Sequence, residues 1–312
     1  MTLEPDFDGL RAPVVVACSG GADSLGLLVL AAEAGLAPIA VHVDHGLRPE
    51  SSDDARVVAT AADVLGVQWQ SVSIAVGAGA NLEARARDAR YRALFDARVA
   101  HNATAILVAH TADDQAETVL LNLLRGSGSS GLAGMARTRD VIVRPLLRMR
   151  RADVRAIVES RGLSVVDDPT NADRRWRRAW IRHDVLPLLE RGAERDLVPV
   201  LARQAEVFRA ESDLLDGLGD ELLTDAGAGA ADGDRAAAGD GSLRVQPFRD
   251  APIAIARRAV RRWLGSPPPS SDEVERVLAV ARGECVGTEL AGGRRVHRSG
   301  GRLHAEPRDP LP

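Results

Sequence analysis

From Val14 to Leu124 short apolar runs of strand length alternate with longer stretches whose apolar positions recur at helical spacing. Val14–Ala17 precedes Leu25–Ala34, Pro38–Val43 precedes Ser51–Leu65, Gln68–Ile74 precedes Asn81–Ala100, and Ala105–Ala109 precedes Asp113–Leu124. Strands that alternate with helices in this way predict βαβ units, hence an α/β fold with a doubly wound parallel sheet covered by helices on both faces. Ligands of such sheets bind at the carboxyl ends of the strands, so the loops after each strand are where chemistry is expected.

Beyond Arg137 the pattern changes. Val141–Pro145 reads as a further strand, Arg151–Ser160 as a helix ended by Gly162, and Leu163–Val166 as a short extended piece before the loop Asp167–Asn171. The arginine-dense stretch Arg174–Arg182 leads into Val185–Leu189 and a helix predicted through Glu221. Residues 225–241 are mostly Ala, Gly and Asp, which bury too little apolar area to order themselves, and are expected to be a flexible loop or linker. Helices near Pro252–Trp263 and Ser271–Arg282 follow, then a Gly-rich Gly287–Glu306 that reads as one or two hairpins. The expected organisation is a large domain over residues 1–190 and a smaller, mainly helical α+β domain over residues 191–312, with no internal repeat.

Composition changes this picture in three respects. Every one of the 40 basic residues is arginine, so a Walker-type phosphate loop, which needs a lysine, and Schiff-base catalysis by a lysine of the chain are both excluded. The net charge is −4, yet thirteen arginines face six acids between Arg137 and Arg182, an excess suited to phosphate, or else an arginine-rich solvated surface. Cys18 and Cys285 form no CxxC pair and indicate neither a disulfide framework nor a zinc site; Cys18 reads as a small buried apolar residue. Met1–Arg11 carries acids and no apolar leader, and no stretch has the length to cross a bilayer, so a cytoplasmic protein without membrane association is expected.

Four loops carry the candidate chemistry. Ser19, Gly20, Gly21, Ala22, Asp23 and Ser24 turn the first strand into the first helix, where a glycine pair permits close backbone approach and the helix end offers free N–H groups. This suits phosphate, although a plain tight turn with Ser24 as a cap would share the pattern. The end of the second strand, His42-Val43-Asp44-His45, sits beside that turn and suits nucleotide positioning better than metal, because the two histidines point in different directions. Arg87, Arg90 and Tyr91 share a helix face behind the Gly77–Gly79 stretch, with Glu83 one turn before Arg87; the arginines face triphosphate or RNA, or form an exposed salt-bridged helix. Finally His110 precedes Asp113, Asp114, Gln115 and Glu117. Capping explains some of these acids, while Asp114 and Glu117, three apart, share a face and could grip a cationic amine.

The four blocks in this order, with Arg144-Pro145-Leu146-Leu147, Asp167–Asn171, and Arg178 and Arg182 ahead of His183 and Val185-Leu186-Pro187, resemble the tRNA(Ile)-lysidine synthetase family of the PP-loop ATP pyrophosphatases. The resemblance is dense over residues 13 to 190 and thin beyond, where Gly287–Leu290 and the Gly292–Arg302 hairpin carry it, as in a short form of the family. Ala179 stands where many relatives have Asn. The resemblance implies a PP-loop, adenine nucleotide α-hydrolase-like fold with a tRNA-binding C-terminal domain. It further implies that ATP adenylates the wobble cytidine of the CAU anticodon of tRNA(Ile), releasing pyrophosphate, and that free L-lysine displaces AMP to form lysidine, converting the tRNA from Met to Ile specificity.

Fitted to these residues, Ser19–Ser24 and Arg87 would bind ATP, Asp23 and Asp113 would hold Mg²⁺ and act in catalysis, and Asp114 and Glu117 would take the lysine ammonium. Arg90, Arg178 and Arg182 would contact the substrates. His110 is either a general base or a hydrogen-bonded strand-end residue. A homodimer is an assembly the resemblance allows. Two rival classes are a sulfur-inserting PP-loop tRNA enzyme, which usually needs catalytic cysteines or a cluster, and a non-catalytic nucleotide-binding regulator, which has no need of Asp114, Glu117 and an arginine-rich RNA face.

Overall fold

The computed structural model describes residues 4–44, 51–74, 82–166, 173–227 and 241–306. His45–Arg48, Gly77–Gly79, Asn81, the side chain of Glu83, the loop Asp167–Asn171 and most of the Ala/Gly/Asp-rich stretch lie outside the described residues. The chain divides into two compact units, Met1–Arg209 and Ala210–Pro312.

The first unit holds β1 (Val14–Ala17), α1 (Ala22–Glu33), β2 (Pro38–Asp44), α2 (Ser51–Leu65), β3 (Gln68–Ser73), α3 (Leu82–Ala100), β4 (Ala105–Leu107), α4 (Ala112–Leu124) and α5 (Ser129–Leu132). It continues through β5 (Thr138–Arg139), β6 (Ile142–Val143), α6 (Arg151–Ser160), α7 (Arg177–Trp180), a π-helical turn (Ile181–Val185), α8 (Leu186–Ala193) and the start of α9 (Val198–Ala226). The strands form one sheet in the order β3-β2-β1-β4-β6-β5. All pairings are parallel except β5 with β6, an antiparallel edge hairpin that the apolar pattern did not announce because β5 is an exposed Thr-Arg pair. Leu163–Val166, expected to be extended, joins no strand; Val166 instead donates its N–H to the Gly20 carbonyl at 2.9 Å.

Side chains of β1 alternate between two cores, as a strand buried on both faces must. Val14 and Val16 pack with Leu27, Leu28, Leu146 and Val154 under α1 and α6, whereas Val15 packs with Ile39, Leu94, Ala97 and Ile106 under α3. Each fully buried Val or Leu contributes about 1.5–3 kcal/mol, so the sheet is fixed from both sides. Gly26 sets the distance between α1 and α6: a Cβ there would lie 2.3 Å from Val154 Cγ1. This close approach brings the first residues of α6 over the first turn of α1. A third cluster joins Ala112, Ala116 and Leu120 of α4 to Ile181, Leu186 and Val198, which holds the π-turn against α4.

The second unit contains the end of α9, β7 (Leu243–Arg244), α10 (Val245–Asp250), α11 (Ile253–Leu264), α12 (Ser271–Arg282), β8 (Gly287–Leu290), β9 (Arg294–Ser299) and β10 (Arg302–Glu306). Its four strands form an antiparallel sheet in the order β7-β10-β9-β8 around a core that includes Phe248, Val260, Val274, Leu278, Val296 and Leu303. Ser270 and Glu273 form a capping box at α12, and N–H groups of Ala291 and Ser270 on the Glu273 carboxylate hold its pKa down at about 2. Among the described residues no helix is long and apolar enough to cross a membrane.

Candidate active site

The parallel register sets Ser19, His110 and Arg144 at the carboxyl ends of β1, β4 and β6, three neighbouring strands of the sheet. The turn after β1 is built by short hydrogen bonds. Ser19 N–H donates to Ser24 Oγ at 3.2 Å, and Ser24 Oγ donates to the Gly21 carbonyl at 2.9 Å. Gly20 adopts φ +84°, and a Cβ there would strike Val166 Cγ2 at 2.7 Å, so glycine is required by both conformation and space. Gly21 is the N-cap of α1 and supplies no side chain, leaving the first amides of the helix for an anion. Ser24 is thus a strut inside the turn, and the simple capping explanation of the motif does not hold.

Asp23, in the first turn of α1, accepts a hydrogen bond from Arg151 Nε at 3.1 Å through Oδ2, while its Oδ1 is buried without a partner. Burial raises its pKa, against the opposing charge of Arg151. Arg151 also reaches Asp114 Oδ1 with Nη2 at 2.7 Å and Glu117 Oε1 with Nη1 at 3.6 Å, so one guanidinium joins the turn of α1 to the first turns of α4. Burial works against the charged arginine, but the three carboxylates outweigh it and raise its pKa further.

The acids of α4 divide by role. Asp113 accepts the N–H of Arg151 at 2.8 Å and the Arg150 guanidinium at 3.4 Å, which caps α6 and offsets the unfavourable charge of two arginines at a helix N-terminus. Asp114 Oδ2 takes the N–H and hydroxyl of Thr111 at 2.9 and 3.0 Å. Burial pushes its carboxyl up, yet Arg151 and the Thr111 donors bring it below the usual range. Glu117, 1% exposed, pairs with Arg182 Nε at 2.7 Å. Gln115 turns away from the acids and brackets Met135, donating to its carbonyl at 3.0 Å and accepting its N–H at 2.8 Å.

Arg182 lies in the π-turn. Pro187 has no N–H for the carbonyl of residue 183, so the helix widens there, and the wider turn directs Arg182 at Glu117. Arg178 donates to the Thr118 hydroxyl at 3.1 Å. On the other side of His110 stand Arg87 and Arg90, their guanidinium carbons 5.1 and 5.7 Å from the Tyr91 ring centroid. His110 itself is neutral at pH 7: burial, with Arg144, Arg178 and Arg87 adding repulsion against Asp114, holds its pKa at about 4, and its Nδ1 is buried without a partner. At the end of β2, His42 Nδ1 bonds the Cys18 carbonyl at 3.0 Å and its Nε2 has no partner. A groove of about 550 Å³ between β3 and α3 holds none of the candidate residues.

Every described candidate therefore falls along one edge of the sheet. Sequence reasoning missed Arg144, Arg150 and Arg151 as members of the site. A signal existed for the last two, since adjacent arginines opening a helix oppose its dipole and call for an explanation. It also overstated the free charge of Arg137–Arg182: nine of the thirteen arginines are ion-paired, for example Arg137 with Asp6 at 2.6 Å and Arg174 with Asp184 at 2.9 Å, whereas Arg139, Arg144, Arg177 and Arg178 have no carboxylate partner among the described residues.

A phosphate-accepting turn at the switch of a parallel sheet, with an aspartate in the first turn of its helix, defines a PP-loop nucleotide-binding protein, and the PP-loop domain family matches residues 8–189. The TilS substrate binding domain family matches residues 243–304. The tRNA(Ile)-lysidine synthase of Nocardia farcinica is 40% identical over 298 residues, 93% of this chain and 89% of that protein. The tRNA(Ile)-lysidine synthase of Mycolicibacterium paratuberculosis is 42% identical over 290 residues, 89% and 85% of the two chains. The chain belongs to the tRNA(Ile)-lysidine synthase family. Among solved structures, the U34-tRNA thiolase NcsA from Methanococcus maripaludis shares the fold at TM-score 0.53 and 20% identity, over 68% of this chain and 75% of that one.

Proposed function

We propose that this chain is an ATP-dependent ligase that forms lysidine at the wobble cytidine of tRNA(Ile) bearing a CAU anticodon. In the first step the cytidine O2 attacks the α-phosphorus of ATP, the bond to the β-phosphate breaks and pyrophosphate leaves. In the second the ε-amine of lysine attacks C2, the C2–O bond breaks, and AMP and a proton depart. The observation that carries this reading is the adjacency of the uncapped phosphate turn to the acids of α4, both held by Arg151. One part neutralises a polyphosphate, the other offers carboxylates to an ammonium group.

The free amides that open α1 behind the Ser19–Ser24 turn bind the polyphosphate, and negative charge developing on the pyrophosphate is met by fixed N–H dipoles. Mg²⁺ fits Asp23, whose Oδ1 is buried and unbonded, and when bound with phosphate oxygens it would supply further charge neutralisation for the leaving group. Asp113 joins it as a ligand only by giving up its bonds to Arg150 and Arg151.

Asp114 and Glu117 bind the lysine ammonium in exchange for part of their pairing with Arg151 and Arg182. Neutral His110 accepts a hydrogen bond from the incoming amine at Nδ1. Its low pKa suits it to orienting the amine more than to storing a proton. Arg90, Arg178 and Arg182 contact the tRNA nucleotide. The sulfur-inserting alternative finds no support in the thiols: burial lifts Cys18 to about 12, far from a thiolate, and Cys285 lies in the other unit. The deciding experiment incubates the protein with ATP, tRNA carrying a CAU wobble cytidine, and labelled lysine. Label in that nucleoside is expected; an unlabelled nucleoside with pyrophosphate still released would overturn the second step.

A further inference from the structure

We propose that Arg144, with Arg87, Arg90 and Tyr91, forms a second phosphate-binding site beyond His110, distinct from the turn at Ser19–Ser24. Arg144 is 7% exposed at the end of β6. Its Nη1 donates to the Ala136 carbonyl at 2.8 Å, the Tyr91 phenol lies close enough to interact with its charge, and its Nε is buried without any partner. A guanidinium carries five donors in a rigid fork, and burying it beside a carbonyl and a neutral phenol leaves both its charge and one donor unanswered.

The surroundings add to that deficit. Arg87 and Arg90 both lie within 5.7 Å of the centroid of the same tyrosine ring, and among the described residues neither they nor Arg144 has a carboxylate within ion-pair distance. Three cations gathered about one phenol repel each other, so the arrangement is stable only at a cost that an anion would remove. An anion with several oxygens suits forked donors best, which is the chemistry of a phosphate group. Strands lie about 4.8 Å apart, so the end of β6 is roughly 10 Å from the turn after β1. His110, just beyond the strand between them, has a buried Nδ1 without a partner.

On the tRNA reading, on which this inference rests, the occupant is a backbone phosphate of the nucleotide being modified; the triphosphate of ATP is the other source of the same chemistry. The test measures an anticodon stem-loop RNA without ATP, and ATP without RNA, binding to the wild type, Arg144→Gln, Arg144→Lys and Arg90→Gln, with thermal unfolding of each. Arg144→Gln and Arg90→Gln are expected to weaken RNA about tenfold and to lower the slope of log affinity against log salt by about one, with ATP affinity unchanged. Arg144→Lys keeps the charge but not the fork and falls between.

Weakened ATP with intact RNA keeps the site and gives it to the nucleotide. Unchanged affinity for both ligands in the two Gln variants overturns it, as does a loss that only tracks a lowered melting temperature. If the wild type binds no RNA, the tRNA reading fails by itself, and the ATP arm alone decides the site.

Discussion

The two sides of His110 handle charge in opposite ways. Around the first turns of α4, Asp23, Asp113, Asp114 and Glu117 each have an arginine partner at 2.7–3.4 Å. Around Tyr91, Arg87, Arg90 and Arg144 have no carboxylate among the described residues, although both groups border the same strand ends. A carboxylate paired within the chain is already stabilised, so a cationic ligand has to compete for it; an arginine without a partner gains from the first anion to arrive. On the proposed function the acidic side is therefore a preassembled and costly receptor for an amine, and on the further inference the arginine side is an open one for phosphate. Arg151 is what makes the first side different, because it belongs to a helix end whose position is fixed by Gly26 and Val154.

The strongest way to break this comparison is at Asp23. Replacing it by Asn removes the charge that faces both Arg151 and the polyphosphate, and tRNA-dependent pyrophosphate release should fall about 10³-fold. A fall below tenfold would place the chemistry elsewhere.

Glu117→Gln comes next. It leaves Arg182 only its longer contact with Asp114 at 3.6 Å and sets it beside a buried neutral group, so urea unfolding should show a loss on the order of 3 kcal/mol. If Glu117 holds the amine, half-saturating lysine should also rise at least about tenfold while pyrophosphate release stays within about threefold, since the lost interaction is with the second substrate. Loss of adenylation itself would assign the acids to the nucleotide step.

The third prediction uses pH at the boundary residue. The folded chain keeps His110 neutral down to about pH 4, whereas an unfolded histidine takes its proton near pH 6.5. Between those values the unfolded state binds more protons, so this contribution is fully present above pH 6.5 and is lost as the pH falls toward 4. It amounts to about 3 kcal/mol, and His110→Asn should flatten that part of the stability profile. An unchanged profile would mean that burial does not hold the imidazole neutral.

The smallest effect is expected at Gly26. Its replacement by Ala puts a Cβ 2.3 Å from Val154 Cγ1, which should cost about 1–3 kcal/mol and loosen Arg151 from the acids. Val154→Ala in the same chain should recover part of both stability and activity. Full activity of Gly26→Ala at normal stability would show that the α1–α6 spacing does not position Arg151.

Much of the fold was legible because the first strand–helix pairs are simple in period. β1 to β4 and their helices fall within a few residues of the expected runs: β1, β2 and β4 because a buried parallel strand must be apolar on both faces, and β3, the exposed edge strand, through its alternation. β5 and α10 were not legible: β5 is an exposed Thr-Arg pair that becomes a strand only by folding back on β6 in a tight hairpin, and α10 follows β7, whose partner β10 is distant in sequence. The π-turn escaped notice too, although Pro187 marks the residue that forces it.

The sequence by itself determined the alternation of strands and helices from β1 to α4, the phosphate turn, the absence of lysine and which residue types could meet a polyphosphate and an amine. It could count arginines but not say which were occupied. Arg151 finds Asp114 across 37 positions, Arg182 finds Glu117 across 65, and Arg144 finds no acid among the described residues. Ion pairing depends on distance in space and on burial, and both come into being only when the sheet brings distant strand ends side by side. Only the tertiary structure could therefore decide which charges hold the protein together and which remain for its substrates.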